Sequence, residues 1–215
     1  MKSIQNEKII RIGNWLFNPF VYVAGYKALF IGLFLIIVYA TAGYYNEIKF
    51  DAVVGLHTCV PSDSVLKVLA EAILIWLSIS FVFVLIALVV SETSFRVIDV
   101  FGTMALAKWP SLILSFFMFM PGISGTCIDY SSLSIFRRSG SMTYEGSLHL
   151  IFYFLSIFVL IWTLILIFNA FRVSSNMKGN KAIFSFGAGI FISILVKHYL
   201  MKDIVESLFS FMGKS

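Results

Sequence analysis

The amino-acid sequence predicts an all-α integral membrane protein, with five transmembrane helices and interfacial amphipathic helices. Three observations carry that prediction. Of the 215 residues, 60% are hydrophobic, 13% are charged and 23 are Phe, whereas a soluble domain is about 45–50% apolar and about 25% charged. A chain so poor in polar side chains cannot cover a water-soluble globule. Four apolar runs, near Ala28–Tyr45, Val68–Val90, Leu150–Phe171 and Ala182–Leu200, have about the 20-residue length that crosses a bilayer core. A fifth lies between Phe95 and Gly125. Finally, Tyr44, Tyr45, Trp76, Trp109, Tyr130, Tyr153 and Tyr199 fall mostly near span ends, where a ring with one polar edge favours the interface.

The chain divides into a cytoplasmic or interfacial N-terminal segment (1–27), a five-span bundle (28–200) and an amphipathic C-terminal tail (201–215). In the first, "IIRIGNWLFNPFVYVAGYK" mixes bulky apolar residues with Arg11, Asn14 and Asn18, and Asn18-Pro19 predicts a break. An in-plane helix on the cytoplasmic leaflet is preferred to a ragged start of the first span, because one helix from Ile9 to Tyr45 overshoots the membrane. No cleavable signal is visible, so the first span is expected to direct insertion. In the tail, Leu200, Ile204, Leu208 and Phe211 follow helical spacing, with Lys202, Asp203 and Glu206 elsewhere on the wheel.

The net charge of +5 is dispersed, with no basic stripe of the kind that binds nucleic acid; it suits loops resting on anionic headgroups. Eight Lys and Arg (Lys2, Lys8, Arg11, Lys27, Arg96, Arg172, Lys178, Lys181) fall on the N-terminal side of five spans. The other side holds Lys49, Lys67, Arg137 and Arg138 in its loops and Lys197, Lys202 and Lys214 at the C-terminal end, so the bias is clear for the loops and diluted by the tail. Positive charge stays inside, so the expectation is N-in and C-out, in a bacterial inner membrane.

The third span holds the sequence's one puzzle, "GTMALAKWPSLIL" (Gly102–Leu114). Upstream, Glu92, Arg96, Asp99 and Thr103 are spaced by four, three and four residues and predict an amphipathic helical stripe, with opposite charges as neighbours. Pro110 disfavours helix at Trp109 and cannot donate to the Leu106 carbonyl, so the helix ends or kinks there. Two readings follow. If the chain breaks, Ser94–Lys108 lies along the interface, and Lys108 and Trp109 anchor at headgroup depth with the lysine snorkelling. If Phe95–Pro121 is one kinked span, Lys108 lies near its middle and needs a partner: Glu71, Asn169 or the freed Leu106 carbonyl, but not Asp99, which nine residues of helix place on the opposite side. The interfacial reading is the expectation. The buried alternative makes a polar intramembrane site of Glu71, Arg96, Asp99, Lys108 and Asn169.

Further candidates are fewer. Cys59 and Cys127 fall in loops on the same extracytoplasmic side, where a disulfide and two unlinked thiols are both open. "PGISGT" (Pro121–Thr126) contains a Gly-x-Ser-Gly like the nucleophile turn of rhomboid-type intramembrane proteases. No histidine sits mid-span in a later helix, so a plain Gly/Ser turn is expected, and neither catalysis, metal nor cofactor. In "NAFRVSSNMKGNK" (Asn169–Lys181), Arg172, Lys178 and Lys181 read first as a topology signal, and otherwise as a basic loop for lipid phosphates or an acidic partner; Gly179-Asn180 reads as a tight turn. "FGAGIF" (Phe186–Phe191) offers Gly187 and Gly189 as a close-approach point between helices.

The order of these elements resembles bacterial members of the Yip family of Ypt-interacting membrane proteins: "FRVIDVFGTMALAKWP" before the third span, "NAFRVSSNMKGNK" between the last two, and the Gly102-Thr103 and Trp109-Pro110 surroundings, over roughly Asn18 to Leu200. Eukaryotic members are associated with Rab-type GTPases, but their acidic "DLYGP"-like motif is absent here. The resemblance implies the fold and the membrane. Two functions are expected: a non-enzymatic membrane protein that organises lipid or binds membrane partners, including a second copy of itself, or a small-solute or lipid carrier with a polar cavity.

Overall fold

The computed structural model describes residues 13–46, 48–50, 57–59, 64–117, 119, 144–201 and 207. Its body is helical, and five helices are long and apolar enough to cross a membrane: Gly25–Tyr45, Val65–Val90, Val97–Phe117, Ile151–Ser174 and Gly179–Tyr199. Within them we label α1 (Gly25–Tyr45), α2 (Val65–Val90), α3 (Val97–Leu106), α4 (Ser111–Phe117), α5 (Tyr144–Ser174) and α6 (Gly179–Val196). An antiparallel strand pair between the first two spans, β1 (Ile48–Phe50) and β2 (His57–Cys59), sets Ile48 opposite Cys59. The hydropathy pattern, tuned to long apolar runs, holds no signal for so short a ladder.

Each helix begins where the local chemistry permits. The Ser64 side chain accepts a hydrogen bond from the Lys67 N–H at 3.2 Å, occupying one of the donors that a helix start leaves orphaned. Gly25 opens α1 at φ +63°, a left-handed conformation that any side chain would strain. Before α6 the chain reverses through Asn176 at φ 52° and Gly179 at φ 63°. The predicted turn therefore falls a few residues early, and Asn180 lies inside the helix.

The third span is the centre of the bundle. Of its most apolar stretch 61% is buried, against 22% to 39% in the other four spans. Small residues allow this. A β-carbon on Gly102 would meet the Gly25 carbonyl oxygen at 2.6 Å, and one on Gly32 would meet the Ala105 Cβ at 2.5 Å and the Leu106 nitrogen at 2.6 Å. Contacts advance together along both chains, so the first and third spans run parallel, backbone almost against backbone. Association within lipid rests on such close packing and on polar contacts, since the hydrophobic effect gives helices no preference for one another there. Of the two glycines singled out between the last helices, Gly187 faces open space, whereas a β-carbon on Gly189 would collide with the Phe83 ring at 2.5 Å.

Candidate functional site

The third span passes its proline without leaving the bundle. After α3 the chain tightens: the N–H groups of Lys108 and Trp109 reach the carbonyls of Ala105 and Leu106, at 3.2 and 3.1 Å, and that of Ser111 reaches Lys108 at 3.0 Å. Bonds of this i to i−3 kind belong to a 3₁₀ turn. Trp109 thus takes up the Leu106 carbonyl that Pro110 cannot serve, and α4 continues on the far side. The break is where the sequence placed it, but it kinks one span instead of separating two elements.

This arrangement corrects the interfacial reading of Lys108. The residue is 3% exposed, among buried Ala107, Pro110 and Ser111, and is the twelfth of the 21 residues of its span. It is not an isolated charge, being among the residues with an interaction partner. The physical reason is the packing that pins α3 against α1: a segment held by Gly25, Ala28 and Gly32 cannot lift into a headgroup plane. Trp109 is engaged within the bundle. Its ring meets that of Trp162 edge to face, with centroids 4.7 Å apart. Trp76, expected near an interface, is buried, and its indole N–H donates to the Phe101 carbonyl at 3.2 Å.

The third and fourth spans also bury several hydroxyls. Ser111 and Ser115 lie on α4, Ser156 and Thr163 on α5, all buried. Ser115, Ser156 and Thr163 donate to carbonyls one turn back in their own helices, at 3.1, 2.8 and 2.8 Å. A hydroxyl engaged in this way is satisfied without water.

Three other residues of the predicted polar site, Arg96, Asp99 and Asn169, lie apart from Lys108. Arg96 is exposed and precedes the first residue of α3. Asp99 lies in the first turn of α3 near Gly25, where a β-carbon would come 3.3 Å from its Oδ1. Asn169 donates to the Phe17 carbonyl at 2.8 Å. Glu71, on α2, is half-buried and has an interaction partner. The predicted stripe from Glu92 to Thr103 is broken because residues 91–96 are not helical. Glu92 therefore pairs with Lys181 at the start of α6, not with Arg96. What remains of the stripe is Thr103, whose hydroxyl reaches the Asp99 carbonyl at 2.7 Å and the Ser174 hydroxyl at 3.2 Å. Beside it the Ser91 hydroxyl donates to the Ser175 carbonyl at 3.0 Å. These contacts tie the end of α5 to the chain on both sides of the 91–96 connection.

The N-terminal segment also departs from expectation. Residues 13–17 are helical, Asn18-Pro19 breaks the helix as predicted, and a 3₁₀ turn (Pro19–Val21) leads to α1. The segment is packed against the fourth span. The Trp162 indole donates to the Leu16 carbonyl at 3.0 Å, Asn169 takes Phe17, and the Phe17 and Trp162 rings stand 6.0 Å apart. Trp162 is the twelfth of 24 residues in its span, so Leu16 and Phe17 lie alongside the fourth helix, within its apolar length. Trp15, Leu16 and Phe17 remain exposed on the outer side. Sequence reasoning missed this contact; Asn169, a lone amide inside an apolar span, was the signal.

Of the basic loop, Arg172 is exposed with its guanidinium 5.9 Å from the centre of the Phe168 ring, and Lys178 is exposed. Cys127 and Ser124 lie outside the described residues, as does nearly all of the tail from 202 on. Among the described residues no group of three or more His, Cys, Asp or Glu comes together. A cavity of about 440 Å³ opens between α2 and α6, lined by Leu85, Val89, Val90, Phe184, Ser185 and Ala188. No protein-family model, curated protein or solved structure matches this chain.

Proposed function

We propose that the protein is a non-enzymatic, Yip-like membrane protein that organises lipid or binds membrane partners, in a bacterial inner membrane with its N-terminus cytoplasmic. One observation supports this best. Of the polar residues a carrier needs around one cavity, Asn169 is taken up by the Phe17 carbonyl, Arg96 is exposed and Asp99 lies in the first turn of α3, and the cavity between α2 and α6 is apolar. Meanwhile the outer face presents Phe30, Phe34, Phe158 and Phe191, all more than half exposed. A photo-reactive residue at each of these positions, irradiated in native membranes, tests the reading: discrete protein or lipid adducts are expected, and monomer without any adduct contradicts it.

A second reading, a small-solute or lipid carrier, draws on the buried Lys108, because ionisable residues at mid-membrane are costly and mark functional sites. Solute flux in proteoliposomes that disappears with Lys108→Met in a protein of unchanged melting temperature favours the carrier.

A further inference from the structure

The cavity between α2 and α6 is an open groove with an apolar floor and a charged end. On α6, Lys181, Phe184, Ser185 and Ala188 are spaced by three, one and three residues and share one face. On α2 the walls are the last turns before Val90, with Leu85 and Val89 exposed. The groove ends where Glu92, just beyond α2, pairs with Lys181. Lys178, one turn before Lys181, is exposed and has no acidic partner among the described residues. Two lysines against one carboxylate leave an excess positive charge at the mouth of an apolar channel. Its volume of about 440 Å³ lies within the about 300–1,000 Å³ of small-ligand sites.

We propose that this groove seats one anionic phospholipid, with an acyl chain along Leu85, Val89, Phe184 and Ala188 and its phosphate at Lys178 and Lys181. The proposal deepens the lipid-organising reading and rests on it. Apolar walls supply contact but no choice among lipids, since every acyl chain offers the same methylenes. Selectivity comes from the lysines, which attract a net negative headgroup and hold a zwitterionic one less firmly. Glu92 competes with the phosphate for Lys181, so the carboxylate weakens the seat while holding α6 against α2.

Native mass spectrometry of the full chain in detergent, titrated with phosphatidylglycerol and with phosphatidylcholine of the same chains, tests the proposal. One tight site is expected, preferring phosphatidylglycerol by about tenfold. Lys178→Gln with Lys181→Gln abolishes the preference and leaves both lipids bound equally. Glu92→Gln, which releases Lys181, strengthens phosphatidylglycerol binding. Ala188→Phe, at an exposed position where folding tolerates the change, removes the tight site for both lipids. Equal binding of the two lipids by the wild-type chain overturns the seat, as does a tight site untouched by Ala188→Phe. If Ala188→Phe instead dissolves a dimer without affecting lipid, the groove is a protein interface and the seat is overturned, while the broader reading stands on its adducts in native membranes.

Discussion

Gly32 faces the backbone of Ala105 so closely that a methyl group at position 32 would lie 2.6 Å from the Ala105 carbonyl carbon. The obstacle is main chain, which no side-chain rotation relieves. Gly32→Ala is therefore expected to push the first and third spans apart and cost about 1–3 kcal/mol, the range for overpacking a filled interior. Gly187→Ala, which meets nothing within 4 Å, serves as the control. Melting temperatures of both variants in the same detergent check the contrast; a loss in the control equal to that in Gly32→Ala contradicts the packing.

The N-terminal segment rests on two side chains of one helix. Trp162→Phe keeps a ring beside Phe17 but removes the donor to Leu16, at an expected cost of about 1 kcal/mol, and Asn169→Ala removes the donor to Phe17. Because both hold the same segment, the double variant is expected to lose less than the two single effects added together. Strict additivity in a thermal double-mutant cycle means that the segment is not fastened as one unit.

The pair between Glu92 and Lys181 predicts a pH response at the end of the bundle. Hydrogen bonding from Lys181, and then its charge, hold the Glu92 carboxyl below its ordinary value of 4.5. A carboxylate lowered in the folded state stabilises it above the unfolded value, and that contribution is lost as pH falls through the lowered one. Side-chain exposures of 66% and 78% make the effect small and sensitive to salt. Titration of Glu92 by NMR is expected to give a midpoint below 4.5, returning to about 4.5 in Lys181→Met. An unchanged midpoint in that variant removes the pair from the account.

Much of the fold was legible because lipid imposes it: four span cores and the Asn18-Pro19 and Trp109-Pro110 breaks follow from run length and from what proline cannot do. Depth was not legible. Lys108 beside Trp109 and Pro110 has the local composition of an interfacial anchor, and what buries it is the close approach of Gly32 and Gly102 to other helices, a contact between residues about 70 positions apart. The small-residue spacing Ala28, Gly32 and Gly102, Ala105 was in the sequence, but which stripe meets which is decided by the bundle. The predicted charge stripe failed for a simpler reason: residues 91–96 are a connection, so the helical periodicity begins only at Val97.

Burial of Lys108 also sets an energetic expectation. Lys108→Ala removes a long side chain from a packed interior, at a cost of about 2–5 kcal/mol like other large-to-small core changes, whereas a snorkelling surface lysine is worth about 1 kcal/mol or less. Asp99 lies in the first turn of α3, nine residues before Lys108, so Lys108→Ala and Asp99→Asn are expected to add within about 0.5 kcal/mol. Thermal shifts of the two single variants and the double variant check both expectations.

The placement of Lys108 inside the bundle is tested most directly on the unaltered protein. Membranes are treated briefly with an amine-reactive acylating reagent, and modification of each lysine is read by peptide mass spectrometry. The structure predicts that Lys178 and Lys181, both exposed, are modified early and that Lys108, 3% exposed, stays unmodified until the protein is unfolded. Modification of Lys108 at a rate like that of Lys178 would place it at the headgroups and contradict the buried third span.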